Sequence, residues 1–258
     1  MAEQEPRQRW EALYRRMREG LATRAKHMEE ALARIQNGEL EAFEALRREA
    51  HRLRGTAPSY GMLEIGEKAG ELEEAIRSGK QALIDALTHA LLSAIREELA
   101  RDGGGEALSP PNFSPRWSLL EGRSVLAAED DEATRRLLEL ALLNMAKMKG
   151  QILRDGLELI EVMEKQAWVD LLVIDAMMPK MNGIDALNVL LQRGWIARVG
   201  CVVVLSAASL EEGGWSIPSE ICFSWYRKPF RPSGFLDLLA SKAQSKLKAS
   251  PSSPPVAP

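Results

Sequence analysis

Apolar side chains recur at three- and four-residue spacing from Trp10 to Leu99 with no alternating run among them, a pattern that predicts helix throughout the first hundred residues. Trp10, Leu13, Met17, Leu21, Met28, Leu32 and Ile35 make one stripe, closed by Asn37-Gly38, a pair that tolerates positive φ and stops a helix. A second stripe holds Phe43, Leu46, Ala50, Leu53 and Ala57 and should end near Pro58, because the residue before proline disfavours helical backbone. A third helix is expected from about Met62 to Ile76. Ser78-Gly79 then supplies a turn, and a fourth helix carries Leu83, Ile84, Leu87, Leu91, Ala94, Ile95 and Leu99. Short loops between long amphipathic helices imply an all-α antiparallel bundle with four main helices.

From Asp102 the pattern lapses into Gly-Gly-Gly, Ser-Pro-Pro-Asn and Ser-Pro, with little to bury, so residues 103–117 read as a linker. As a flexible coil it would span on the order of 20 Å. After Trp117, strand-like and helical runs alternate, with SVLAA, QILR, DLLVID, VGCVVVLS and EICFSWY as five strands. Continuous apolar runs such as Leu171 to Ile174 and Val202 to Leu205 suit strands buried on both faces of a parallel sheet, which predicts a doubly wound α/β domain over 118–245. Between the fourth and fifth strands, Leu210 to Pro218 contains Gly213, Gly214 and a proline, which oppose helix. The tail, 246–258, is rich in proline and serine and is expected to be disordered.

Composition narrows the partners. A chain of 258 residues with 45% hydrophobic and 28% charged residues fits a two-domain globular protein. Its 34 Lys+Arg against 37 Asp+Glu give a formal charge of -3, without the basic excess that binding to nucleic acid or to an anionic membrane surface needs. The N-terminus lacks the apolar core of a secretion signal, and no apolar run approaches the length of a membrane span. Cys201 and Cys222 lack CxxC spacing and lie in apolar surroundings, so both are expected in the core of a protein kept in a reducing, cytoplasmic setting.

In a doubly wound sheet the ligand site lies beyond the carboxyl ends of the strands. The first strand there ends in Glu129-Asp130-Asp131, the third in Asp175, the fourth in Ser206, and Lys228-Pro229 follows the fifth. Singly, each has an ordinary explanation: an acidic pair after a strand often caps a helix, and a lysine or serine is usually solvated or a cap. Together they offer a carboxylate nucleophile in Asp175 and oxygen ligands for Mg²⁺ from Asp130 and Asp175, with Glu129 acting through water and the Met177 carbonyl completing the shell. Ser206 and Lys228 are placed to contact phosphoryl oxygens.

The run Asp175-Ala-Met-Met-Pro-Lys-Met-Asn-Gly183, with the acidic residues after the first strand, Ser206-Ala207 and Lys228-Pro229-Phe230, resembles the receiver domain of two-component response regulators. The resemblance implies a flavodoxin-like fold, Asp175 as phosphoacceptor, a requirement for Mg²⁺, and Ser206 and Lys228 as the groups that couple phosphorylation to a conformational change. Trp225 stands where the family carries its switch aromatic. The stretch from Leu210 to Pro218 departs from the family, which builds a fourth helix there.

In the helical half, His51 lies about 100° around the helix from the core position Ala50, on a face with Arg47, Arg54, Gly55 and Pro58, and should be accessible to solvent. Imidazole is a competent phosphoryl nucleophile near neutral pH, Arg54 can pair with phosphoryl oxygens, and Gly55 removes a side chain that would obstruct a docking partner. A lone histidine on a basic helix face usually does nothing. Residues 1–102, however, resemble a histidine phosphotransfer (HPt) domain: His51-x-x-Arg54-Gly55 fits its motif, followed by Gly61 and by Leu72-Glu73. That resemblance implies His51 as phosphoacceptor. His27 and His89 match no motif.

The expected function is therefore a phosphorelay protein carrying phosphoryl groups on His51 and Asp175, with sensor histidine kinases or other relay proteins as partners. No Gly-rich nucleotide cradle follows a strand, so the phosphoryl groups should come from elsewhere. An interaction scaffold that binds such partners without transfer is the alternative. An aspartyl-phosphate hydrolase fits less well, because Met177 stands where such an enzyme has its second aspartate.

Overall fold

A computed structural model describes residues 4–101, 114–207 and 222–245. The chain divides into two units, Met1–Pro110 and Pro111–Pro258. The tail from 246 and the stretch from Leu210 to Pro218 lie outside the described residues.

The first unit holds α1 (Gln4–Gln36), α2 (Ala42–Thr56), α3 (Leu63–Arg77) and α4 (Gln81–Ala100), packed in a closed ring with α4 returning to α1. The connections turn at Gly38 (φ 86°) and Gly79 (φ 66°), in the left-handed region where glycine pays no steric cost. Met17, Leu21, Met28, Leu46, Leu53, Leu72, Leu91 and Ile95 meet in the core, each stabilising the unit by about 1.5–3 kcal/mol when fully buried. Trp10 stacks on Tyr60 with ring centroids 5.7 Å apart. The Tyr14 hydroxyl donates to the buried carboxylate of Glu98 at 2.7 Å, and burial together with that bond pushes the phenol up to about 12. This ties α1 to α4.

Two details of the bundle differ from expectation. Leu83, placed in the α4 stripe by periodicity, is 50% exposed, and the buried stripe runs through Ile84, Thr88, Leu91, Leu92 and Ile95. Leu83 sits in the first turn of α4, where a side chain leans back towards the helix start and away from the buried stripe. The helix α2 stops at Thr56 as Pro58 demands, but the chain continues as a 3₁₀ turn, Ala57–Tyr60, closed by Gly61 at φ 85°. Against that turn α3 approaches so closely that a Cβ on Gly66 would lie 2.2 Å from Pro58 Cγ.

The second unit is a five-stranded, all-parallel sheet in the order β2-β1-β3-β4-β5. Its elements are β1 (Ser124–Ala128), α5 (Glu132–Leu138), β2 (Lys149–Leu153), α6 (Gly156–Lys165), β3 (Val169–Asp175), α7 (Gly183–Gln192), β4 (Val199–Ser206), β5 (Phe223–Arg227) and α8 (Pro232–Ser245). After Leu138, α5 widens into a π-helical stretch, Glu139–Met145. Every residue of β3 and all but the first of β4 are buried, as their unbroken apolar sequences require, whereas β2 and β5 form the less buried edges. The order reverses between β1 and β3, so their carboxyl ends open a crevice there.

This unit starts earlier than expected. The linker was expected to run through Trp117, yet Pro115–Leu120 form a 3₁₀ helix with Trp117 buried and its Nε1 donating to Asp237 of α8 at 2.8 Å. A tryptophan next to Pro-rich sequence reads as linker until its distant partner helix is known. No helix among the described residues is long and apolar enough to cross a membrane.

Candidate functional site

At the crevice, carboxylate oxygens of Glu129, Asp130 and Asp175 lie within 4.8 Å of one another. Glu129 is 0% exposed and Asp175 4%. The residue following β5 supplies the counter-charge: Lys228 Nζ is 2.6 Å from Glu129 Oε2 and 3.1 Å from Asp175 Oδ2. Its backbone N–H donates to the Ser206 carbonyl at 2.7 Å, which brings the buried Ser206 to the same strand ends.

The electrostatics follow from burial and sign. Burial and the neighbouring Asp175 carboxylate push Glu129 well above the usual carboxylate range, and the attraction of Lys228 offsets only part of this. For Lys228, burial pulls the ammonium down, but Asp175 and Glu129 outweigh it and hold the proton more firmly than in water. One ammonium thus pairs with two carboxylates of a three-carboxylate cluster. A compact, electron-rich set of hard oxygen donors carrying excess negative charge fits Mg²⁺.

The three acidic residues after β1 divide their work. Asp131 takes the capping role, accepting from the Thr134 backbone N–H at 3.0 Å and its hydroxyl at 3.1 Å, while Glu129 and Asp130 join Asp175. Arg135 was not anticipated. Its guanidinium donates to the carbonyls of Glu129 at 2.9 Å and Asp130 at 2.5 Å, fixing the backbone that presents them. Gly183 is similarly structural, since a Cβ there would lie 2.1 Å from the Asp175 carbonyl oxygen. Gly183→Ala must displace backbone rather than a flexible side-chain end, so we expect a loss of about 1–3 kcal/mol in stability, read by urea unfolding, together with impaired chemistry at Asp175. Met177 is largely exposed, and its N–H reaches Asp175 Oδ1 at 3.4 Å. Trp225, on β5, is half-buried and packs against the β3–β4 core and Phe223.

In the bundle, His51 on α2 meets Glu73 on α3, with Nδ1 2.8 Å from Glu73 Oε1. A carboxylate can only accept, so Nδ1 carries the proton and Nε2 of a neutral ring keeps its lone pair. The ring is half-buried, its side chain 23% exposed, rather than fully presented to solvent. Arg54 NH1 donates to the other oxygen of Glu73 at 3.0 Å, and Arg47 approaches to 3.9 Å. The net effect holds Glu73 below the usual carboxylate range: burial raises it, but the bonds and charges of His51 and Arg54 more than compensate. The Arg54 stem runs across Gly70, where a Cβ would come 3.5 Å from Arg54 Cδ.

Gly55 is corrected. Expected to clear an open docking face, it is buried, between Leu53 and Thr56, which are buried too. His27 and His89 lie 3.8 Å from Glu49 and 3.7 Å from Asp85, on more open parts of the surface.

Residues 12–101 match the family model of the Hpt domain, and residues 125–215 that of the Response regulator receiver domain. Among solved structures, the Vibrio cholerae chemotaxis protein CheY4 is similar at 24% identity, covering 46% of this chain and 98% of that one with a TM-score of 0.40. The receiver domain of sensor histidine kinase PA1611 from Pseudomonas aeruginosa PAO1, with a magnesium ion coordinated in its active site cleft, is similar at 19% identity, with coverages of 48% and 99% and a TM-score of 0.41. The receiver domain of Francisella response regulator 1452 shows 25% identity, coverages of 47% and 98%, and a TM-score of 0.38. No curated protein matches the chain.

Proposed function

From the premise that this chain joins an Hpt domain to a response regulator receiver domain, which makes it a two-component phosphorelay protein, we propose that its phosphoryl groups are carried on His51 and Asp175. The observation that carries this reading is the meeting of Asp175 with Glu129, Asp130 and the buried Lys228 at the carboxyl ends of the strands.

At the bundle, Nε2 of His51 forms the new P–N bond as the donor's own bond to phosphorus breaks and the donor leaves with that electron pair, while the Nδ1 proton stays on the ring, hydrogen-bonded to Glu73. The N-phosphoryl ring is then an imidazolium, and the Glu73 carboxylate stabilises its charge. In the return step the P–N bond breaks, and the ring leaves as the neutral Nδ1–H tautomer without needing a proton from elsewhere. At the receiver, an Asp175 carboxylate oxygen forms the new P–O bond of an acyl phosphate as the donor's P–N or P–O bond breaks and the donor departs with that electron pair. Lys228 and the Ser206 hydroxyl would bind the phosphoryl oxygens. Receiver domains bind Mg²⁺ at such an acidic pocket; Asp130 and Asp175 would hold it, with the Met177 carbonyl and, through water, Glu129, and the ion would offset negative charge on the phosphoryl group. Partners are sensor histidine kinases or other phosphorelay proteins. Two cysteines without a disulfide framework fit a reducing compartment, and the cytoplasm is the setting proposed.

The test is time-resolved phosphotransfer with the purified full chain, His51→Gln and Asp175→Asn, using a phosphorylated kinase or relay protein as donor. Label is expected at both residues in the wild type and at the remaining one in each variant. A chain that binds such donors yet stays unlabelled at both positions would instead be an interaction scaffold.

A further inference from the structure

Cys201 lies near the start of β4, and Cys222 immediately precedes β5. The register Val202↔Phe223, extended one residue towards the amino end, sets the two cysteines side by side on neighbouring parallel strands, and the Val202 N–H donates to the Cys222 carbonyl at 2.8 Å. Their sulfurs are 3.1 Å apart, the Cys222 thiol donating to Cys201. Neighbouring strands lie about 4.7–4.9 Å apart, inside the roughly 4.4–6.8 Å range of Cα separations that a disulfide accepts. Cys201 is 1% exposed, whereas Cys222 is half-buried, so Cys222 is the more accessible of the two.

We infer that Cys201 and Cys222 form a redox-active thiol pair that a peroxide-class oxidant closes into an intrachain disulfide. The Cys222 thiol gives up its proton, the thiolate attacks a peroxide oxygen, the O–O bond breaks, and the departing hydroxide takes that proton and leaves as water, giving a sulfenic acid. The Cys201 sulfur then attacks Cys222, forming the S–S bond and expelling a second water. Two thiols and one hydrogen peroxide become one disulfide and two waters, so the two electrons lost by sulfur reduce the peroxide. The bond would fasten the edge strand β5 to β4 at their amino ends. Ser206 stands five residues further along β4, roughly 16 Å at strand rise, so the pair is separate from the phosphorylation centre.

The experiment treats the native full chain with equimolar hydrogen peroxide and follows intact mass and peptide maps. The expected product is lighter by two hydrogens, joins the Cys201 and Cys222 peptides, forms at a rate independent of protein concentration, and reverts with dithiothreitol. Cys222→Ser should block the cross-link while leaving small-donor labelling of Asp175 at the wild-type level. Cys201→Ser should leave a Cys222 sulfenic acid that dimedone traps. Wild-type protein that stops at singly oxidised Cys222, forms only interchain dimers, or takes up no oxidant would overturn the inference. Each of these outcomes can be read whether or not Asp175 accepts phosphate.

Discussion

Asp175→Asn is expected to abolish labelling by an acetyl-phosphate-type donor, while His51→Gln is labelled at the wild-type rate. A carboxylate oxygen can form the acyl phosphate and a carboxamide cannot, so the loss should be complete rather than graded. The variant should stay folded. Asp175 and Glu129 are like charges sharing one buried pocket, and with Asp175 neutral the Lys228 ammonium keeps its 2.6 Å contact with Glu129, so the urea midpoint should hold or rise. That second measurement separates lost chemistry from lost structure. Chelating Mg²⁺ should suppress wild-type labelling as well. Equal labelling of Asp175→Asn and wild type would remove Asp175 from its role.

The second large effect concerns Glu73. Glu73→Gln keeps an acceptor for His51 Nδ1–H but discards the charge that supports the N-phosphoryl imidazolium. A charge-assisted hydrogen bond contributes about 1.5–3 kcal/mol, so acceptance at His51 should slow roughly 10- to 100-fold. Small-donor labelling of Asp175 should be unchanged. The same variant carries a pH signature. Glu73 is held below its ordinary range in the folded protein, so its stabilisation is fully present above the unfolded value of about 4.3 and disappears as pH falls through the lower folded value. Urea midpoints of wild type should therefore decline more steeply than those of Glu73→Gln in that acidic window and run parallel above it. Coinciding acid limbs would show that Glu73 is not held by His51 and Arg54.

Sequence alone carried much of this. The strands β3 and β4 were legible because Leu171 to Ile174 and Val202 to Leu205 are apolar without interruption, which leaves few structures but a sheet covered on both faces. Asp175, Ser206 and Lys228 were legible because each marks the carboxyl end of a strand, and a parallel sheet gathers those ends. What escaped depends on contacts between elements. Glu73 was named only as part of the Leu72-Glu73 motif; its bond to His51, 22 residues away, arises from the packing of α3 on α2. Asp131 could be told from Asp130 only once α5 had a first turn to cap. Gly55 was put on an open face because helical spacing gives an angle around the axis and not what lies beyond it. Cys201 and Cys222, read separately as core residues, become a pair only through the register of β4 on β5.

The burial of Trp117 bears on how the protein can be divided. Its indole lies beneath the surface and is pinned to Asp237 of the last helix, although the receiver family match begins only at Val125. A truncated piece opening at β1 would strip that helix of its aromatic cover and leave apolar surface wet, a recipe for poor solubility. The smallest self-sufficient receiver in this chain therefore begins at or before Pro115, ten residues upstream of where family resemblance would place the cut.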